Sequence, residues 1–264
     1  MLELSHISKT FNPGTIHAKL ALNDLSLTLD DGDFVTVIGG NGAGKSTMMN
    51  AISGSFMVDS GKILIDGMDI TNFPEYRRAA YLGRVFQDPM MGTAPTMQLE
   101  ENLALAARRG KRRGLKWRIT KREREGYREQ LRTLGLGLED RMEAKAGLLS
   151  GGQRQALTLL MATLVQPKLL LLDEHTAALD PKTAARVLEL TDSIVAEKKL
   201  TTLMVTHNMK DAILHGNRLI MMDAGKIVVD VSGEEKKKLT VPDLLALFQQ
   251  SSGHEETSDQ LILG

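Results

Sequence analysis

The sequence predicts an α/β fold whose sheet is mostly parallel. In the second half of the chain, apolar strand-like runs alternate with helix-like runs, at residues 169–173, 182–198, 202–206 and 209–214. Nearer the start, an apolar run at 34–38 leads through a glycine-rich segment into a helix-like stretch at 48–53. Alternation of this kind favours helices packed over a parallel sheet, with ligands at the carboxyl ends of the strands.

The remaining elements follow from local patterns. Short β-like runs at 2–8 and 25–29 are separated by turn residues such as Asn12, Pro13 and Gly14. The further predicted strands are 61–67, 84–86, 219–222 and 227–231. Between 88 and 167 the pattern is largely helical, with helices expected at 99–108, 120–134 and 152–165. Residues 252–264 are polar, and we expect them to be poorly ordered.

Composition narrows the classes of protein. The 264 residues suffice for one sizeable α/β domain or for a core with a subdomain, and 33 basic residues balance 33 acidic ones. This balance gives no global field that favours nucleic acid or membranes. Cysteine is absent, which excludes disulfides and thiolate metal sites. The N-terminus lacks the pattern of a signal peptide and no apolar run is long enough for a bilayer, so we expect any membrane role to need a partner.

The glycine-rich segment fits the pattern G-x-x-x-x-G-K-[ST] between a strand and a helix. Its residues are Gly39, Gly40, Asn41, Gly42, Ala43, Gly44, Lys45, Ser46 and Thr47. Glycines let consecutive backbone N–H groups point inward, and the positive end of the following helix adds to that anion site. Lys45 can then reach the β- and γ-phosphates, and the Ser46 hydroxyl can bind Mg²⁺. The segment predicts binding of a nucleoside triphosphate.

Two carboxylates follow the four leucines at 169–172. Four leucines suit a central strand buried on both faces, and Asp173 and Glu174 end it. Alone, the string also fits an apolar strand closed by two solvated acids. Downstream of a phosphate loop, we expect Asp173 to hold Mg²⁺ through water and Glu174 to act as general base or to position the attacking water.

A second glycine-containing motif stands 20 residues before Asp173, at the head of a predicted helix. It reads Leu149, Ser150, Gly151, Gly152 and Gln153. Ser150 can cap the helix, and the glycines leave its N–H groups open to an anion. With this motif, essentially the whole chain resembles the ATP-binding cassette (ABC) ATPases, whose signature is L-S-G-G-Q. In that family two cassettes pack head to tail, and each ATP lies between one subunit's phosphate loop and the other's signature helix.

The resemblance implies the architecture as well. It implies a P-loop NTPase core with a mostly parallel sheet, an N-terminal antiparallel β subdomain and an inserted helical subdomain. The nucleotide-binding core, with the antiparallel subdomain, would take residues 1–87 and 168–264. The helical signature subdomain would take residues 88–167.

Further roles come from the resemblance, position by position. Phe11 matches an aromatic residue that stacks on adenine, although it could instead simply plug the first sheet. Gln87 matches the glutamine that senses Mg²⁺ and the attacking water, and His207 matches the histidine that contacts the γ-phosphate. The run Ala177, Ala178, Leu179 and Asp180 matches the loop that links the two sites of the dimer. From the partner subunit, the resemblance implies contacts to ATP by Ser150, Gly151, Gly152, Gln153 and Asp180.

Two residues depart from the family pattern. Gly40 replaces the proline or serine that often stands second in the phosphate loop, which loosens the loop but keeps its N–H groups available. His175 follows Glu174 where many members carry proline. Neither change removes a group that the chemistry needs.

The family context predicts the physiological role. We expect a single-cassette ATPase that works as a homodimer, bound to separate permease subunits on the cytoplasmic face of the cell membrane. An extracytoplasmic solute-binding protein would be an indirect partner, and import of a small solute such as an amino acid, aromatic ones included, is the favoured activity. The alternative is a soluble ABC ATPase that serves an assembly scaffold of the iron–sulfur type.

Two segments allow more than one interpretation. The resemblance places a permease contact near residues 88–101, where Met90, Met91 and Met97 suit an adaptable apolar surface or plain core packing. Residues 108–124 hold ten basic side chains and Trp117. This segment fits a surface for anionic lipid or for the permease, and equally a solvated helix face. Overall neutrality argues against nucleic acid.

Overall fold

The computed structural model of the chain describes residues 1–111 and 119–252. In chain order the elements are β1 (Leu2–Phe11), β2 (Lys19–Leu29), β3 (Phe34–Ile38), α1 (Lys45–Ser53), β4 (Ser60–Ile65), β5 (Met68–Asp69), α2 (Glu75–Arg78), β6 (Leu82–Val85), α3 (Leu99–Ala106), α4 (Lys121–Arg132), α5 (Gly151–Leu164), β7 (Leu169–Asp173), α6 (Pro181–Lys198), β8 (Thr202–Val205), α7 (Met209–Leu214), β9 (Arg218–Asp223), β10 (Lys226–Ser232), α8 (Gly233–Lys238) and α9 (Val241–Ser252). Single 3₁₀ turns lie at Leu138–Asp140 and Ala146–Leu148.

Backbone contacts divide the chain into two compact units. Residues 1–78 and 200–264 form the first unit, and residues 79–199 form the second. These units do not follow the limits expected at 87/88 and 167/168, so those subdomain limits stay a prediction. Each unit is described by itself below.

The first unit contains an antiparallel sheet and a set of mainly parallel strands. The antiparallel sheet has the order β2-β1-β4-β5, and Leu2 of β1 lies opposite Leu29 on one side and Ile65 on the other. In the second set, β3 pairs in parallel with both β8 and β9, and β10 returns antiparallel along β9. All five residues of β3 are buried, as expected for a central strand covered on both faces.

In the second unit, β6 and β7 pair in parallel beside a helical core. Leu82 lies opposite Leu169, and the register continues to Val85 opposite Leu172. Helices α3, α4 and α5 pack through a cluster of buried side chains, among them Leu103, Leu131 and Leu157. Side chains define the helix starts: a capping box joins Thr120 to Glu123 at α4, and Asp180 caps α6 ahead of Pro181.

The mixed sheets and covering helices confirm the predicted α/β class of P-loop type, while several predicted limits were wrong. Strands β1 and β2 are longer than predicted because bulges interrupt their alternation: His6 and Asp24 both adopt positive φ, and their side chains meet at 2.9 Å. Strand β6 ends at Val85, so Phe86 is outside it. Helices α8 and α9 were not predicted. A poorly ordered end was predicted at residues 252–264. Ser252 ends α9, and residues 253–264 lie outside the described residues.

Candidate active site

The phosphate loop leaves β3 and enters α1 through glycines in left-handed conformations. Gly39, Gly42 and Gly44 have φ values of 150°, 83° and 105°. A Cβ atom at Gly39 would lie 2.2 Å from the Met222 carbonyl oxygen, and one at Gly44 would lie 2.7 Å from that of Ala21. Larger residues are therefore excluded at both places by strain and by contact with backbone. The loop keeps the backbone curvature that anion binding requires.

Lys45 is buried inside this loop. Its Nζ donates to the carbonyl oxygens of Gly39 at 2.7 Å and of Gly40 at 3.2 Å. Only 7% of the residue is exposed, whereas Ser46 beside it is exposed. These two carbonyl oxygens are neutral acceptors, and the oxygens of an anion can replace them as partners of the ammonium.

His207 lies at the same edge of the first unit as the phosphate loop. Strands β3 and β8 are parallel with Val37 opposite Val205, and the Thr206 N–H bonds the Val37 carbonyl oxygen at 3.1 Å. His207 follows directly and is exposed. The next helix, α7, starts at a cap in which the Asn208 side chain accepts from two backbone N–H groups. Burial raises the pKa of Asp211 on α7, and nearby His215 and His207 oppose that rise.

Phe11 ends β1 close to the phosphate loop. Its ring meets that of Phe56 edge to face, with 5.2 Å between the centroids. Phe11 lies opposite Lys19 in the pairing of β1 and β2. The Lys19 ammonium in turn lies beside the phosphate loop, 3.2 Å from the position that a Cβ atom on Gly42 would take. The first unit therefore brings Phe11, the phosphate loop and His207 to one region.

The second unit brings Gln87, Asp173 and Glu174 to a common edge. Because Val85 lies opposite Leu172 in a parallel pair, the residues that follow each strand leave the sheet on the same side. Gln87 is exposed, and Asp173 is half-buried. Glu174 has a positive φ of 44°, which is uncommon for a residue with a side chain. Such conformations cluster at functional sites, where the surrounding structure enforces them.

The signature segment starts α5 and packs on α6. Ser150 accepts from the Gln153 N–H at 3.3 Å, and the Gln153 side chain accepts from the Ser150 N–H at 3.2 Å, so the predicted cap is present. Gly152 has a second reason to be glycine: a Cβ atom there would lie 2.1 Å from Cγ2 of Thr183. The glycine allows the close approach of the two helices.

The loop after Glu174 joins this packing. Leu179 Cδ2 lies 3.3 Å from where a Cβ atom of Gly151 would stand. Asp180 accepts from the Thr183 N–H at 3.1 Å, and hydrogen bonds from Thr183 hold the pKa of Asp180 below its ordinary value. Signature and linking loop are therefore one packed structure within the second unit.

Sequence reasoning missed three contacts in the second unit. Arg84 donates to the Asp173 carboxylate at 3.0 Å. Gln155, fully buried on α5, donates to the carbonyl oxygen of Phe86 at 3.0 Å, directly before Gln87. His175 is buried, with Nε2 3.1 Å from the Thr191 hydroxyl oxygen. That hydroxyl donates to a carbonyl of α6, so it accepts from the His175 Nε2–H. Of these three contacts, the sequence drew attention only to that of His175, because this residue stands where many members of the family carry proline.

The predicted donors suit magnesium. Ser46, Gln87 and Asp173 offer a hydroxyl, an amide and a carboxylate, the hard oxygen ligands that Mg²⁺ prefers. Mg²⁺ ordinarily keeps several waters and binds substrate phosphates, so it needs few protein ligands. Over residues 1–111 and 119–252, no group of three or more His, Cys, Asp or Glu side chains could hold a metal ion alone.

These features define an ATPase of the P-loop type, and comparisons give its family. A family model described as "ABC transporter" matches residues 22–177. The chain is 47% identical over 249 residues to a tyrosine transport ATP-binding protein of Clostridioides difficile (strain R20291), which covers 94% of this chain and 99% of that relative. It is 34% identical to the spermidine/putrescine import ATP-binding protein PotA of Haemophilus influenzae (strain ATCC 51907 / DSM 11121 / KW20 / Rd), over 89% of this chain and 59% of PotA.

A solved structure agrees. The dimeric post-hydrolysis state of the ATP-binding cassette MJ0796, bound to ADP and Pi, matches with a TM-score of 0.75 and 29% identity, over 88% of this chain and 98% of that one. This chain belongs to the ABC transporter ATP-binding family, and it is an ATP-hydrolysing cassette. The roles assigned above to single residues stay predictions.

Proposed function

We propose that this chain is the motor subunit of an importer for a small solute of amino-acid type, with tyrosine the first candidate. The observation that carries the proposal is the 47% identity to a tyrosine transport ATP-binding protein along nearly the full length of both chains. The resemblance to an import ATPase for spermidine and putrescine supports the same direction of transport. Both relatives favour the transporter over the iron–sulfur assembly alternative.

In the first unit, we assign the neutralisation of phosphate charge to the loop and to two side chains. The γ-phosphate needs positioning and neutralisation more than covalent help. Lys45, which rests on two carbonyl oxygens, exchanges these neutral partners for the phosphates. His207, exposed at the same strand edge, contacts the γ-phosphate, and Phe11 stacks on the adenine.

In the second unit, we assign the water chemistry to Glu174 and Gln87. Glu174 accepts the proton of the attacking water, and Gln87 orients that water. Asp173 and Gln87 would hold Mg²⁺, which would supply positive charge to the phosphate oxygens. The positive φ of Glu174 is of the kind that clusters at functional sites, which supports this assignment.

We propose further that two copies act together, head to tail. Ser150 and Gly151 are exposed at the start of α5, where the positive end of the helix can meet the nucleotide of the opposite copy. The dimeric cassette MJ0796 with ADP and Pi supports such an assembly. ATP would then hold the dimer together, and hydrolysis would release it.

The permease contact is proposed at an apolar surface of the second unit. Met90 and Met91 are 43% and 67% exposed, and Leu148 is 70% exposed. Arg154 of α5 donates to the Met90 sulfur, which ties this surface to the signature helix. Met97 is only half-buried and fits either interpretation.

We place the chain at the cytoplasmic face of the membrane, attached through permease subunits that receive solute from a binding protein outside. No helix among residues 1–111 and 119–252 is long and apolar enough to span a bilayer. No nucleic-acid partner is proposed. The predicted lipid or permease surface at 108–124 lies partly outside the described residues, and Trp117 is among those outside.

The test is reconstitution with the permease subunits that purify with this chain. The complex would be placed in proteoliposomes with the ATPase facing the lumen, which corresponds to the cytoplasm. With ATP in the lumen and the solute-binding protein outside, the vesicles should accumulate labelled tyrosine. The same vesicles with Glu174→Gln should accumulate none. ATPase activity that responds to another amino acid but not to tyrosine would contradict tyrosine as the solute. Recovery of the chain with scaffold proteins alone would contradict its role in an importer.

A further inference from the structure

Arg84 forms an ion pair with Asp173, whose carboxylate is proposed to bind the metal. Nη2 of Arg84 lies 3.0 Å from Oδ2 of Asp173, and the two side chains are only 13% and 15% exposed. Both residues belong to the second unit. In a partly buried setting such an ion pair is screened less by water and salt than a surface pair.

The sheet register creates this pair. Arg84 lies opposite Leu171 in the parallel pair of β6 and β7. Side chains two residues apart on a strand share a face, so Asp173 projects on the same face as Leu171 and diagonal to Arg84. The guanidinium also lies 4.7 Å from the centroid of the Phe86 ring, two residues along its own chain. Arg84 is thus held between an aromatic face and the carboxylate.

Within the described ranges, Arg84 is the side chain that bonds the Asp173 carboxylate. A guanidinium keeps its charge at every pH that a protein experiences. Any cation bound through this carboxylate therefore meets a fixed positive charge on the same group, which repels it. Arg84 also restricts the rotamers of the Asp173 side chain, which favours metal binding because less conformational entropy is then lost. This gain is smaller than the repulsion between the guanidinium and a divalent cation bound to the same carboxylate.

We propose that Arg84 is a positioning residue that competes with Mg²⁺ for Asp173 and so raises the metal concentration that the cassette needs. This inference rests on the proposed role of Asp173 as a metal-binding carboxylate. Before nucleotide binds, Arg84 neutralises the charge of the Asp173 carboxylate. The metal must compete with the guanidinium for Oδ2 of that carboxylate. The residue acts through Asp173 and not on the substrate.

Metal affinity provides the test. Full-length protein carrying Glu174→Gln, loaded with ATP, would be titrated with Mn²⁺ and the free ion followed by electron paramagnetic resonance. Arg84→Met, which keeps the length of the side chain but not the charge, should bind Mn²⁺ more tightly by roughly threefold to tenfold. Arg84→Lys keeps the charge and should stay within about twofold of the parent protein.

Controls separate competition from damage. Binding of a fluorescent ATP analogue in EDTA should be unchanged in both variants, which checks that the phosphate loop is intact. A purely structural arginine predicts that Arg84→Met lowers the melting temperature and leaves Mn²⁺ affinity unchanged or weaker, and this result would overturn the inference. In parallel, Asp173→Asn should weaken Mn²⁺ binding. If it does not, the proposed metal role of Asp173 fails, independently of Arg84.

Discussion

A single methyl group at Gly152 should destabilise the protein through packing alone. The Cβ atom of Gly152→Ala would stand 2.1 Å from Cγ2 of Thr183, far inside contact distance. Both residues sit in the first turns of packed helices, α5 and α6. The backbone fixes the new Cβ atom, and Cγ2 of Thr183 can move away only if its χ1 angle changes, which is restricted for a β-branched residue in a helix. We therefore expect overpacking and not a tolerated substitution.

The structure also predicts the rescue. Thr183→Ser removes Cγ2 and keeps the hydroxyl, and the next atoms of that side chain lie at 3.5 and 3.9 Å, which is ordinary contact. Overpacking costs about 1–3 kcal/mol. A loss of that size lowers the melting temperature by about 2–4 °C per kcal/mol in a chain of this length. Combining the two changes should recover most of the loss, with a coupling free energy of about 1–2 kcal/mol.

The assay is a double-mutant cycle by thermal and urea unfolding without nucleotide. Gly151→Ala is the matched control: its Cβ atom would lie 3.3 Å from Cδ2 of Leu179, the end of a flexible side chain, so little loss is expected. Additive effects of Gly152→Ala and Thr183→Ser would refute the contact. A rescued fold without rescued ATPase activity would instead show that Gly152 also serves the nucleotide.

Three further predictions concern catalysis, assembly and the fold. Glu174→Gln should keep ATP binding and nearly abolish hydrolysis, and gel filtration should show an ATP-stabilised dimer; unchanged turnover would remove Glu174 from its role. Lys45→Ala and Ser150→Arg should each be inactive as pure proteins, whereas their mixture should regain ATPase activity from one intact composite site, a pattern that sites within single chains cannot give. Arg78→Met should cost about 3–5 kcal/mol in urea unfolding, since the buried guanidinium donates to four backbone carbonyl oxygens that would lose their partner, and a loss below about 1 kcal/mol would contradict this reasoning.

Local patterns allowed the phosphate loop and the signature to be predicted in place. Strand β3 has the predicted bounds, and the Ser150 cap was expected from the residues themselves. Both features depend on a few consecutive residues whose backbone preferences are strong. Strand limits were less predictable because the bulges at His6 and Asp24 depend on pairing across the sheet.

Contacts between distant parts of the sequence escaped prediction for a different reason. Arg84 and Asp173 are 89 residues apart, and only the register of β6 on β7 brings them together. Helix α8 consists of one glycine followed by five charged residues and gave no apolar period to read. It is held instead by burial of Lys236, which donates to the carbonyl oxygens of His215 and Gly216. The local pattern of a single sequence does not show which distant residues come into contact.

Helix α5 connects the elements of the second unit that are proposed to serve two different nucleotides. Its first turn presents Ser150, Gly152 packs that turn on the helix that begins after Asp180, and Gln155 bonds the backbone directly before Gln87. Packed interiors transmit displacement because they have little free volume. If the signature moves toward the ATP of a second copy, as proposed, we expect the segment at Gln87 to move with it or the buried hydrogen bond of Gln155 to break. An apolar residue in place of Gln155 would leave the buried Phe86 carbonyl oxygen without this donor, so we expect such a change to weaken the link between the signature helix and the segment at Gln87.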